Sequence, residues 1–172
     1  MILMRQIIIL LLLLITISSY GQKCKFDYNE KDAFSGEEKV GITATISKSW
    51  KLGFNRTGSK YSLGLLINFA GAKEDIIQVG DTLMLAVEGA KPLIFLAMNE
   101  SKPLSNVVGS GAYAQIQTFY RLFYKADEEQ MKILTKNKVT ATRVYFGNLH
   151  YTVEVKEKRS KKIRKAANCI LL

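Results

Sequence analysis

Histidine is almost absent from this 172-residue chain, with His150 its single copy, and proline occurs only at Pro92 and Pro103. One imidazole excludes a metal centre built from several histidines. With so little proline, and no Ser- or Gln-rich stretch, nothing in the composition marks a linker between domains. Negative charge is also scarce, at 15 Asp and Glu against 25 Lys and Arg. No P-loop, nucleophile elbow or zinc-ligand spacing occurs. The longest hydrophobic run, Ile7 to Ile17, has 11 residues with Thr16 inside it, short of the roughly 18 that a spanning helix needs.

That short run has a different use. Arg5 precedes it, Ser18-Ser19-Tyr20-Gly21 follow it, and small residues stand at −3 and −1 of a Gly21/Gln22 cut. A positive charge, an apolar stretch and a small-residue cleavage site are the three parts of a secretory signal peptide. The expectation is a leader over residues 1–21 and an exported mature chain, periplasmic or extracellular. Residues 22–172 then form one β-rich domain of 151 residues, long enough to bury a substantial core.

Only two cysteines occur, Cys24 and Cys169, one at each end of the mature chain. An oxidising compartment favours their pairing. The alternatives are two separate thiols, or a lipid anchor on Cys24, which the preceding Gln22-Lys23 oppose.

Alternation of apolar and polar residues, the signature of half-buried strands, dominates from Val40 onward. Val40, Ile42, Ala44 and Ile46 share one face, as do Tyr61, Leu63, Leu65, Ile67 and Phe69. Gly64 and Leu66 within the second set predict a bulge or a strand covered on both faces. Leu83, Leu85 and Val87 lead to a turn at Gly89, from which Leu93 to Met98 return. Because the return is apolar on both faces, it is expected in the middle of a sheet or sandwiched between layers.

Residues 99–111 read as the longest loop, and Ala112 to Tyr124 as a long strand with Ala114, Ile116, Thr118, Tyr120 and Leu122 toward the core. The opposite face, with Tyr113, Phe119 and Phe123, is expected to lie beneath a helix or another sheet; the alternative is that these aromatics, interleaved with Gln115, Gln117 and Arg121, stack bases or sugar rings. Asp127 and Gln130 form a capping box for a helix to about Lys136. Val139–Phe146 and 149–156 flank a Gly147-Asn148 hairpin turn. A helix from about Glu157 closes the chain with Ser160, Ile163, Ala167 and Ile170 on one stripe. The fold class expected is α+β, mostly antiparallel and sandwich-like, with one short helix and a C-terminal amphipathic helix.

Chemistry is thinly represented. Strand alternation places His150 on a polar face with Thr152 and Glu154, as a solvated side chain. Seven basic residues against Glu157 alone lie between Lys156 and Lys165. On a helix, Lys158, Lys161, Lys162 and Lys165 recur at i, i+3, i+4 and i+7, and are candidates for holding an anionic envelope polymer or lipid surface. No catalytic residue, metal ligand or cofactor is assigned, and nucleic acid is not an expected partner.

Gln22 after the cut, Cys24, the D-A-F-S-G run from Asp32 to Gly36, Q-V-G-D-T-L-M-L from Gln78 to Leu85 and the late Cys169 make a layout that resembles exported proteins of the Bacteroidota type with no assigned activity. The resemblance implies a periplasmic or surface location and lends no catalytic residue. The function expected is a non-catalytic binding or structural module of the cell envelope. Two alternatives are a hydrolase using a carboxylate pair on an envelope or extracellular polymer, and a peripheral binder of anionic surfaces through the basic helix.

Overall fold

The computed structural model describes residues 24–172. The expected leader and its Gly21/Gln22 cut lie outside the described residues. The fold is α+β and mostly antiparallel, as the alternation predicts. Strands β1 (Tyr28–Lys31), β2 (Glu38–Thr45), β3 (Trp50–Thr57), β4 (Lys60–Ala70), β7 (Leu104–Val108) and β8 (Gln115–Ala126) form a six-stranded sheet in the order β1-β2-β3-β4-β8-β7. A four-stranded sheet has the order β10-β9-β5-β6, from β5 (Thr82–Val87), β6 (Leu93–Leu96), β9 (Val139–Phe146) and β10 (Leu149–Glu154). Helix α1 (Glu128–Lys136) links β8 to β9, and α2 (Glu157–Leu171) ends the chain.

One contiguous core lies between these layers. The large sheet contributes Leu52, Phe54, Leu63, Leu65, Ile67 and Leu122, and the small sheet Leu83, Leu85, Phe95 and Val144. Aromatic edges join the two sheets: Phe146 of β9 meets Tyr120 of β8 at 5.2 Å and Phe69 of β4 at 6.1 Å between ring centres. Such edge-to-face pairs add to the burial of the rings themselves. Helix α2 covers the β2–β3 part of the inner face and packs on α1, burying Ser160, Ile163, Ala166, Ala167 and Ile170. The Ser160 hydroxyl accepts the backbone N–H of Val139 at 2.9 Å, which explains a polar residue on that buried stripe.

Local chemistry sets the boundaries. Asp127 accepts from the Gln130 amide at 2.7 Å while the Gln130 side chain accepts from Asp127 N–H, so the predicted capping box is formed. Gly147 has φ +55° at the first position of the β9–β10 turn, the conformation a Gly-first hairpin requires. Cys24 and Cys169 form a disulfide with Cα atoms 5.6 Å apart, fastening the segment before β1 to α2. No described helix is long and apolar enough to cross a membrane.

Several expectations need correction. The segment after Gly89 is the edge strand β6, not a central one. Leu93 and Phe95 point inward, whereas Ile94 and Leu96 are 52% and 54% exposed; an apolar pattern on both faces does not force burial of both. The 99–111 segment is not all loop, because Leu104–Val108 pairs with β8 as a second edge strand. Strand β8 begins at Gln115, after a 3₁₀ turn over Gly111–Tyr113. Strand β4 has no bulge, since its register runs without a shift against both β3 and β8, and Gly64 simply faces outward. Two strands were not anticipated: β1, in a segment without periodicity, and β3, where Gly53 and Asn55 interrupt an apolar run.

Candidate functional site

Because alternate residues of a strand face opposite ways, the inner apolar positions of β2, β3, β4 and β8 leave a second set on the outer face of the large sheet. Register arranges that set in rows. One row crosses four strands as Thr43, Gly53, Gly64 and Phe123. The row on one side reads Gly41, Asn55, Ser62 and Lys125, and on the other Thr45, Lys51, Leu66 and Arg121. Two glycines side by side remove two side chains from the middle of this surface. The result is an open groove of about 540 Å³, with Gly53 and Gly64 in its lining and Tyr28, Asn55, Lys51 and Arg121 around them.

The glycines on this face are not equivalent. A Cβ on Gly41 would stand 2.2 Å from Tyr28 Cε1, so this glycine exists to seat the Tyr28 ring. Gly53 and Gly64 have no such internal tenant. The nearest atoms to a Cβ would be Gly64 O at 3.7 Å for the first and Asn55 Nδ2 at 3.6 Å for the second, which are ordinary contacts. Neither has the positive φ that would demand glycine. Glycine in a strand interior costs roughly 0.5–1 kcal/mol relative to alanine. A strand glycine that neither the backbone conformation nor a neighbouring side chain explains marks a place where something else approaches closely.

The rim carries usable chemistry. The Tyr28 hydroxyl donates to Asn55 Oδ1 at 3.0 Å, which orients the amide so that Nδ2 is left without a hydrogen-bond partner among the described residues. Tyr28 and Phe123 are each 42% exposed and present aromatic surface. Burial, then the charges of Glu30 and Asp27, raise the Tyr28 phenol above its ordinary value, so it remains a neutral donor. Lys51 and Arg121 are exposed, and neither joins an ion pair among the described residues. Asp27 is the one carboxylate in the lining. The arrangement can hold a flat ring against peptide planes, offer hydrogen-bond donors and attract negative charge.

Phe119 and Phe123 were expected beneath a helix or second sheet, with Tyr113 beside them. That is corrected: α2 packs on the opposite face, Phe123 faces the groove, and Tyr113 is 87% exposed. His150 is exposed and pairs with Tyr145 across β9–β10, their ring centres 5.6 Å apart. Lys158, Lys161, Lys162 and Lys165 are all exposed on α2. The structure brings only Lys161 and Lys165 to a shared depression of about 450 Å³ between α1 and α2, together with Arg164, Thr135 and Asn168. Lys158 and Lys162 are not in its lining. Among the described residues no group of three or more His, Cys, Asp or Glu side chains is arranged to hold a metal ion.

Sequence reasoning missed the groove, although a signal was present. Gly58 has φ +55° and heads a two-residue turn that pairs Thr57 with Lys60. Counting back from that turn places Gly53 opposite Gly64. Compared with known proteins, the chain matches no family model, no curated protein and no solved structure.

Proposed function

We propose that this protein is an exported, non-catalytic binding module of the cell envelope whose ligand seats in the groove on the outer face of the six-stranded sheet. The observation that carries the reading is the Gly53–Gly64 pair, two adjacent strand glycines that no internal contact or backbone angle accounts for. Export rests on the leader-like start of the sequence and agrees with a disulfide between Cys24 and Cys169. The Bacteroidota-type layout points the same way. A carboxylate-pair hydrolase needs two facing acids, and Asp27 stands alone in the lining.

Co-sedimentation of the purified mature protein with insoluble envelope polysaccharide and sacculi tests the reading. Wild type is expected in the pellet and Gly64→Val in the supernatant, with the variant still folded by circular dichroism. Equal pelleting of both proteins overturns the groove as the site.

A second reading has its own observation. Among the described residues, only Lys161 of Lys158, Lys161, Lys162 and Lys165 has a carboxylate partner, Glu157 at a loose 3.9 Å. The α2 surface therefore keeps its charge available for an anionic lipid or polymer. Salt-sensitive binding to anionic vesicles, lost when all four are replaced by Gln, is its signature.

A further inference from the structure

We infer that the ligand of the groove is an acidic saccharide, a sugar chain whose rings carry carboxylate or sulfate groups; this rests on the groove being the binding site. The Gly53–Gly64 floor presents two bare peptide units between Thr43 on one side and Phe123 on the other. Three strand spacings separate those two side chains, about 14 Å of sheet. In the middle of that span neither strand position carries a side chain, and only the Asn55 amide and the Phe123 ring edge reach the Gly64 floor, at 3.6 and 3.7 Å from where a Cβ would stand. A flat-faced ring fits there as the Tyr28 ring fits over Gly41, the phenyl edge of Phe123 beside it at the Gly64 end.

The polar groups separate a sugar from an aromatic side chain of a peptide. A phenyl ring over the floor would leave nothing for the free Asn55 Nδ2 donors, the Thr43 hydroxyl or the Asp27 carboxylate to bond. A pyranose turns an apolar face to the floor and hydroxyls to that rim. Its substituents must also answer Lys51 and Arg121, which stand one strand to either side of Leu66, about 10 Å apart by strand spacing. Two cations on one row, neither in an ion pair among the described residues, suit a ligand with more than one negative group. The guanidinium is suited to a planar carboxylate through two parallel N–H donors.

Titration calorimetry of the disulfide-bonded protein tests this with oligogalacturonate, its methyl ester as the uncharged twin, and a sulfated oligosaccharide as the second source of charge. Oligogalacturonate, the sulfated chain or both are expected to bind at low salt, and the methyl ester at least tenfold more weakly. Lys51→Gln with Arg121→Gln is expected to erase that preference while leaving the melting temperature in place. Gly64→Val is expected to abolish all three affinities without lowering it. Equal binding of ester and acid overturns the acidic assignment and leaves the groove standing. Full binding by Gly64→Val overturns the groove itself, a loss confined to the four-Gln α2 variant assigns the charge recognition to that helix, and failure of every sugar while Gly64→Val still leaves the envelope pellet overturns the saccharide. Should Gly64→Val not fold, Phe123→Ala takes its place, with the same outcomes.

Discussion

The ring of Tyr28 takes the place of a side chain on Gly41, and its hydroxyl ends 3.0 Å from Asn55 Oδ1, so a residue of the edge strand β1 sets the orientation of an amide two strands away. A methyl group at position 41 competes for the same space. Gly41→Ala is expected to evict the Tyr28 ring and break its hydrogen bond while β2 and β3 stay paired, because the clash is with the far end of an exposed side chain. Amide exchange at Asp27, whose N–H bonds to Gly41 O at 2.8 Å, should speed up, and exchange in β3 and β4 should not. A collapse of the whole fold would show that the glycine serves the sheet and not the tyrosine.

The disulfide closes a loop with a sequence separation of 145 residues. Chain-entropy arguments assign a loop of that length about 5 kcal/mol, an upper figure because residual structure in the unfolded chain reduces it. Replacing both cysteines by serine should lower the denaturation midpoint substantially. Thiol titration of the native protein, denatured without reductant, should find no free thiol.

Ile163 is fully buried in the α2 stripe. Ile163→Asp places an unpaired charge there and is expected to cost more than about 3 kcal/mol. Gln at Lys158, Lys161, Lys162 and Lys165 touches only exposed positions and should shift stability by less than about 1 kcal/mol. Chemical denaturation of the two variants side by side separates the docking face of the helix from its charged face.

Tyr120 and Tyr124 are both buried, yet their hydroxyls fare differently. Tyr120 donates to Asp75 O at 2.9 Å, and burial, with smaller contributions from Asp75 and Tyr151, pushes its phenol up to about 12. Tyr124 Oη has no partner among the described residues, and burial pushes its phenol higher still. Tyr120→Phe should therefore cost about 1 kcal/mol and Tyr124→Phe should cost nothing or stabilise. Both phenols favour the neutral form in the folded chain, so stability should fall as pH rises above about 10.

Asp32 accepts from Lys39 Nζ and from the backbone amides of Ser35 and Phe34 at 2.8 and 3.0 Å. The lysine contact first, then these amides, hold its carboxyl well below the usual range. A depressed folded value contributes stability that is complete above the unfolded value, about 3.9, and is lost as pH falls through the folded one. Asp32→Asn should therefore lower the neutral plateau of the stability curve and flatten its acid limb below about pH 4, so that variant and wild type converge at low pH.

The legible parts of this chain were those where one residue pattern decides one local structure. Alternation around Leu63, Leu65 and Ile67 gave β4 its inner face, Asp127 with Gln130 started α1, and the Ile163, Ala167 and Ile170 spacing oriented α2. The parts that failed depend on neighbours. Whether Ile94 and Leu96 meet water is decided by what lies over the outer face of the four-stranded sheet, where both remain about half exposed, and no local pattern encodes that. The groove is harder still, because it is made of missing side chains on four strands, and glycines at 53 and 64 acquire meaning only once register sets them side by side.

A ribosome makes Cys169 long after Cys24, with a sequence separation of 145 residues. The strand that begins four residues after Cys24 carries Tyr28, the wall of the groove, while its covalent anchor lies in α2, beyond the last strand of either sheet. Every described strand must therefore be synthesised before that wall can be tied down. A nascent chain that has not reached residue 169 cannot lock the groove, so the bond records that both sheets have already been made.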